Sequence, residues 1–129
     1  MKIKTNFLLL LFLLGTSCST ISFNEIIDNK KPVELIIIDS ITAINRKNEM
    51  IEMNSIKGKR LIEFFNKHTN GWMPIHGSFH SEILLRQDDF TLKYNKRGKS
   101  VIINFKDKNG KINQVTKEIS EGELDFIIE

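Results

Sequence analysis

Residues 57–68 read KGKRLIEFFNKH, and their spacing sets the architecture. Leu61, Phe64, Phe65 and His68 recur at offsets of three and four, so on a helix they form one apolar stripe. Lys59, Arg60, Glu63 and Lys67 fall mostly on the opposite side. Asn54 or Ser55 stands where a helix start is capped, and Asn70-Gly71 supplies the left-handed exit that ends helices. Gly58 weakens the first turn. A single-striped helix needs an apolar surface to cover, and the flanking sequence supplies strands.

Upstream, Val33 to Ile44 is the strongest strand signal, with Ile36, Ile37 and Ile38 consecutive. Such a run is buried on both faces or bends at Asp39-Ser40. Asn45 to Asn48 reads as a polar turn and Glu49 to Ile56 as the returning strand of a hairpin. Downstream of a Trp72-Met73-Pro74 loop, Phe79 to Arg86 and Phe90 to Tyr94 are joined by Gln87-Asp88-Asp89. Phe90, Leu92 and Tyr94 alternate with polar Thr91 and Lys93, as in a sheet with one wet face. Ser100 to Lys106 follows, then Asp107 to Lys111 with its Asn-Gly hairpin signal, then Ile112 to Glu118. Ser120 and Glu123 form a capping box before Leu124 and Phe126 to Ile128, which predicts a short C-terminal helix. The expectation is an α+β domain. Its antiparallel sheet has about five to six strands, with the main helix packed on one face.

The N-terminal residues, MKIKTNFLLLLFLLGTSCST, have a different character. Lys2 and Lys4 precede an apolar run from Phe7 to Leu14, well short of the roughly 20 residues that span a bilayer. A charged start, a short apolar core and a small-residue exit describe an export signal. The segment Leu14-Gly15-Thr16-Ser17-Cys18 resembles the signal of bacterial lipoproteins, although Gly15 stands where that family usually has Leu. The resemblance implies cleavage before Cys18, a diacylglyceryl group on its thiol and acylation of the new amino group. Ser19 lacks the aspartate that retains some lipoproteins in the inner membrane, so the resemblance implies the outer membrane in a two-membrane cell. The competing reading is an ordinary secretory signal cut after Ser17. The chain has one cysteine, and lipidation accounts for a residue that would otherwise be a free thiol after export.

The expected organisation is therefore a signal over residues 1–17, a lipidated cysteine and tether over 18–31, and one domain over 32–129. The tether reads STISFNEIIDNKK from Ser19, with a turn around Phe23 to Ile27; its alternative is a short element packed on the domain. The net charge of +3 includes Lys2 and Lys4, so 17 of the 19 basic residues oppose 16 acidic ones after cleavage. A near-neutral surface argues against nucleic acid as a partner, which needs a one-signed basic face. The membrane, through the lipid, and an envelope protein are the expected partners.

Chemistry is sparsely signalled. His76 and His80 lie four apart, and His80 shares a strand face with Glu82, so a metal-binding or hydrolytic centre would use these three. Pro74 and Gly77 oppose the helix that would align the histidines, and neither a nucleophile elbow nor a phosphate loop is present. No catalytic residue and no cofactor is therefore assigned. Trp72 is either a partner-binding anchor or a plug at the sheet edge whose N–H reaches a carbonyl. Lys93, Lys96, Arg97 and Lys99 cluster around one turn and would suit an acidic partner or anionic headgroups. The composite expectation is a non-enzymatic binding or accessory module on a lipid anchor.

Overall fold

The computed structural model describes residues 19–129 apart from 40 and 43. The expected signal segment and the Cys18 lipidation site lie outside the described residues. Among the described residues, seven strands form one antiparallel sheet. These are β1 (Val33–Ile38), β2 (Asn45–Ile51), β3 (Met73–Pro74), β4 (Ile83–Gln87), β5 (Phe90–Tyr94), β6 (Ser100–Lys106) and β7 (Ile112–Glu118). The strand order is β2-β1-β4-β5-β6-β7-β3, and every neighbouring pair is antiparallel. The helix α1 (Ile56–Lys67) starts at Ser55, whose hydroxyl accepts from the Gly58 N–H at 3.0 Å, a cap worth about 1 kcal/mol.

Alternation decides which side of the sheet is buried. Val33, Leu35, Ile83, Leu85, Phe90, Leu92, Tyr94, Val101, Ile103 and Val115 are buried on one face, where the Leu61, Phe64 and Phe65 stripe of α1 joins them in one core. The Phe65 ring meets Phe90 edge-on, with centroids 5.8 Å apart. The other face mixes Arg86, Thr91, Lys93, Asn104, Gln114 and Thr116 with Ile36, Leu84 and Ile102, of which Ile36 is buried. The link from β3 to β4 crosses this face, and the side chains beneath hold its carbonyls. Gln114 Nε2 donates to Ile75 and Gly77 at 3.1 and 3.0 Å, and Lys93 Nζ donates to Phe79 at 3.1 Å.

Five expectations change. Residues 19–31 do not form a tether. Ile21, Phe23 and Ile27 are buried in the core, and Phe23 stacks on Phe65 at 4.6 Å and meets Trp72 edge-on at 5.9 Å. The domain therefore reaches back at least to Ser19, whose N–H donates to the Trp72 carbonyl at 2.8 Å.

The first hairpin turns earlier than the isoleucine run suggests. Asp39 Oδ1 accepts from the Ile41 and Thr42 N–H groups at 2.9 and 3.2 Å, a local side-chain turn that ends β1. Asn45 to Asn48 accordingly belong to β2, which pairs with β1 with a register shift opposite Ile37 and Ile38.

The sheet gains β3 at its far edge, and the strand expected from Phe79 begins only at Ile83. The C-terminal helix is a single 3-10 turn, Asp125–Ile128. Half of the expected capping box forms, with Glu123 Oε1 accepting from the Ser120 N–H at 3.2 Å. The Asn-Gly turn behaves as expected: Gly110 takes φ +77°, and Asp107 Oδ1 accepts from the Asn109 and Lys111 N–H groups.

Candidate functional site, a braced basic turn

The turn from β5 to β6, residues 95–99, brings Lys96, Arg97 and Lys99 to the surface, all three exposed. Its backbone is tight: the Gly98 N–H donates to the Asn95 carbonyl at 2.8 Å, and Arg97 takes φ 60°, uncommon for a residue with a side chain. Three neighbouring segments hold that shape. Asp125 Oδ1 accepts from the Arg97 N–H at 2.9 Å and from the Tyr94 hydroxyl at 2.5 Å. Glu82 Oε1 accepts from the Lys96 N–H at 2.6 Å, while Asn95 Oδ1 accepts from the Glu82 N–H at 3.1 Å. The Ile119 and Gly122 N–H groups donate to the carbonyls of Lys99 and Gly98.

The electrostatics follow from these contacts. The Tyr94 hydroxyl and the Arg97 N–H, with the nearby charges of Lys96 and Arg97, hold the Asp125 carboxyl below the usual carboxylate range despite some burial. Burial first, and then the Asp125 hydrogen bond and charge, push the Tyr94 hydroxyl well above its ordinary value. The turn thus displays three cations over a base of two engaged carboxylates, Glu82 and Asp125. Arginine and lysine side chains on such a braced turn are chemically suited to pair with carboxylate or phosphate groups, with little entropy lost in ordering the backbone.

The fourth member of the expected cluster is elsewhere. Lys93 points to the outer sheet face and is engaged by the Phe79 carbonyl. Trp72 is 0% exposed and its Nε1–H donates to the His68 carbonyl at 2.6 Å. A side chain with no surface offers a partner nothing, so the plug is its role here.

The alternative reading, a centre of His76, His80 and Glu82, finds these side chains apart in role. His76 and His80 are exposed on the crossing segment, which is not a strand, and the Glu82 carboxylate is turned to the Lys96 N–H. Among the described residues no group of three or more His, Cys, Asp or Glu side chains is placed to hold a metal ion. His68 is the buried histidine. Its ring packs on Phe64 with centroids 4.5 Å apart, and its Nε2 meets the Glu123 carboxylate. Burial pushes the Glu123 carboxyl upward, but the His68 hydrogen bond, the Ser120 N–H and the charges of His68 and Lys67 outweigh it and hold the group low. Asp88, in the turn between β4 and β5, takes φ 48°, as its expected role in a turn requires.

Sequence reasoning missed Asp125. Asp125 is 28 residues from the turn it braces, and no local pattern connects them. Among the described residues no helix is long and apolar enough to cross a membrane. No family model matches the chain, and no curated protein and no solved structure is similar to it.

Proposed function

We propose that the protein is a lipid-anchored envelope protein of bacteria, held through Cys18 and acting as a non-enzymatic binding module whose partner is another envelope protein. The Lys96, Arg97 and Lys99 turn is its contact for an acidic partner surface. The outer membrane is the proposed address in a two-membrane cell. The observation that carries this reading is the junction at residue 18. The only cysteine ends a charged, apolar, small-residue segment, and the residue after it, Ser19, is hydrogen-bonded into the fold.

Intact-mass measurement of the membrane fraction tests the anchor. The expected species begins at Cys18 and carries diacylglyceryl mass, and Cys18→Ala leaves the membrane pool. A mature chain without lipid overturns the anchor. Cross-linking in intact envelopes tests the module: a captured partner should be lost in the triple variant Lys96→Glu, Arg97→Glu, Lys99→Glu. Capture unchanged in that variant removes the basic turn from the proposal.

A further inference from the structure

β1 and β5 run in the same direction on either side of β4, and both leave the sheet past one row, where Ile37 pairs with Ile83 and Ile83 with Tyr94. The β1–β2 turn and the β5–β6 turn therefore share one end of the sheet. Neighbouring strands lie about 4.8 Å apart, so the two exits are separated by about 10 Å. Glu82 ties them together. Its carbonyl accepts from the Ile38 N–H at 2.8 Å, its N–H donates to Asn95 Oδ1 at 3.1 Å, and its Oε1 accepts from the Lys96 N–H at 2.6 Å.

The β1–β2 turn puts apolar side chains into solvent at this end. Ile41 is 93% exposed and Ile44 66%. Their backbone is ordered: the Asp39 N–H donates to the Ile44 carbonyl at 2.9 Å, and Asp39 Oδ1 accepts from the Ile41 and Thr42 N–H groups. One exposed apolar residue on a surface is ordinary. Two on a braced turn, beside a braced turn of cations, make the two parts of a protein interface. The apolar part excludes water and the charged part selects the partner.

Charge fixes the kind of partner. The acids between and beneath the two turns are engaged: Asp39 by its own turn, Glu82 and Asp125 by the N–H groups of Lys96 and Arg97. The exposed cations therefore dominate this part of the surface. On the far side of the basic turn stand exposed Glu118 and Glu121. Glu118 pairs with Ser100, and the Ile119 and Gly122 N–H groups on either side of Glu121 donate to the Lys99 and Gly98 carbonyls. A bilayer would press lipid phosphates against these acids as well as against the cations. A protein surface can set carboxylates opposite the cations alone, and it is the occupant this pattern favours.

We propose that the turn carrying Ile41 and Ile44 and the turn carrying Lys96, Arg97 and Lys99 are one docking surface, which fits a protein partner with an apolar pocket flanked by carboxylates. Ile41 and Ile44 enter the pocket while the cations pair with the carboxylates. This rests on the reading of the basic turn as the contact for an acidic partner, and adds the apolar half of that contact. Both turns are held by hydrogen bonds before a partner arrives, so docking loses little backbone entropy.

The test uses the full chain in cells that make it. Benzoylphenylalanine replaces Ile41, or exposed Ser100 beside the basic turn, or exposed Ile112 at the opposite end of the sheet, and light joins it to what lies against it. The probes at positions 41 and 100 should capture the same protein, and the probe at 112 should not. The partner peptide joined to position 41 should be apolar and flanked by Asp or Glu. Capture from position 100 should fall about tenfold in the double variant Ile41→Ser, Ile44→Ser. Capture from position 41 should be lost in Lys96→Glu, Arg97→Glu, Lys99→Glu. Emission of the buried Trp72 reports whether each variant is folded, and capture at 41 in the otherwise unsubstituted chain decides where one is not. A protein captured at 100, but not at 41 and at full yield in the double variant, overturns the shared surface and leaves the basic turn as the contact. Phospholipid joined to position 41 overturns the protein occupant in favour of a bilayer. No capture at 41 or 100, or capture from 100 that persists in the triple glutamate variant, overturns both readings.

Discussion

Gln87 and Asp28 are joined twice: the Asp28 N–H donates to Gln87 Oε1 at 2.7 Å, and Gln87 Nε2 donates back to the Asp28 carbonyl at 2.9 Å. The same amide nitrogen also reaches the Lys31 carbonyl at 3.1 Å. A buried side chain at the end of β4 thus does for residues 28–31 what a neighbouring strand would do. Gln87→Ala leaves one N–H and two carbonyls without these partners, and at about 1 kcal/mol per bond the expected loss is about 2–3 kcal/mol. Urea unfolding should show a lower midpoint with an unchanged slope. A loss under about 0.5 kcal/mol means that these bonds add nothing over solvation.

Phe23 belongs to the core as fully as the helix stripe does. It contacts Phe65, Trp72 and Phe90, so Phe23→Ala and Phe65→Ala should each cost about 3–5 kcal/mol. Lys67→Ala, on the exposed side of α1, should change little. The sole tryptophan, Trp72, reports these transitions. Its emission should be blue-shifted and resistant to aqueous quenchers when folded, and red-shifted on unfolding. Near-parental stability of Phe23→Ala would return residues 19–31 to the status of a tether.

Gly58 predicts a reversal of helix propensity. Ala is favoured over Gly inside helices by about 1 kcal/mol. A Cβ at residue 58, however, would lie 2.2 Å from the Glu52 carbonyl oxygen and 2.5 Å from the Met53 Cα, both backbone atoms. Gly58→Ala should therefore destabilise the protein in thermal unfolding. Stabilisation would mean that residues 52–53 yield freely.

Stability should fall at both extremes of pH. Glu123 and Asp125 have carboxyls held low in the fold. Their contribution is complete above the unfolded carboxylate pKa and disappears as pH drops through the folded values. The Tyr94 hydroxyl is pushed up by burial and Asp125. Its contribution is complete below the unfolded tyrosine pKa of about 10 and is lost as pH rises beyond it. Asp125→Asn should flatten part of the acid limb, and Tyr94→Phe part of the alkaline limb. Unfolding midpoints measured across pH check both, and unaltered limbs in the variants would assign the slopes to other groups.

What was legible in the sequence depended on distance along the chain. The α1 stripe, β5, and the β6–β7 hairpin were readable because helical spacing, alternation and the Asn-Gly turn are local signals. The turn carrying Lys96, Arg97 and Lys99 was readable for the same reason. Ile21, Phe23 and Ile27 are scattered among polar residues, and their partners lie far downstream, so they read as linker. Three adjacent isoleucines overstated the length of β1, where one aspartate side chain turned the backbone. The link between Asp125 and Arg97 exists only in the fold, as does the burial that takes Trp72 away from any partner.

The two margins of the sheet bear on how copies of this protein behave when crowded. One margin is β2, which carries the Lys47–Glu49 ion pair and a register irregularity against β1. The other is β3, two residues long and ending in Pro74, which has no N–H to give. The β3 margin offers too few peptide groups for a second copy to zip onto, and the β2 margin, regular from Lys47 to Ile51, carries its charged pair on that stretch. Strand addition is blocked most firmly at the β3 margin, by its length and its proline, and is opposed at β2 by charge and by the irregularity at one end.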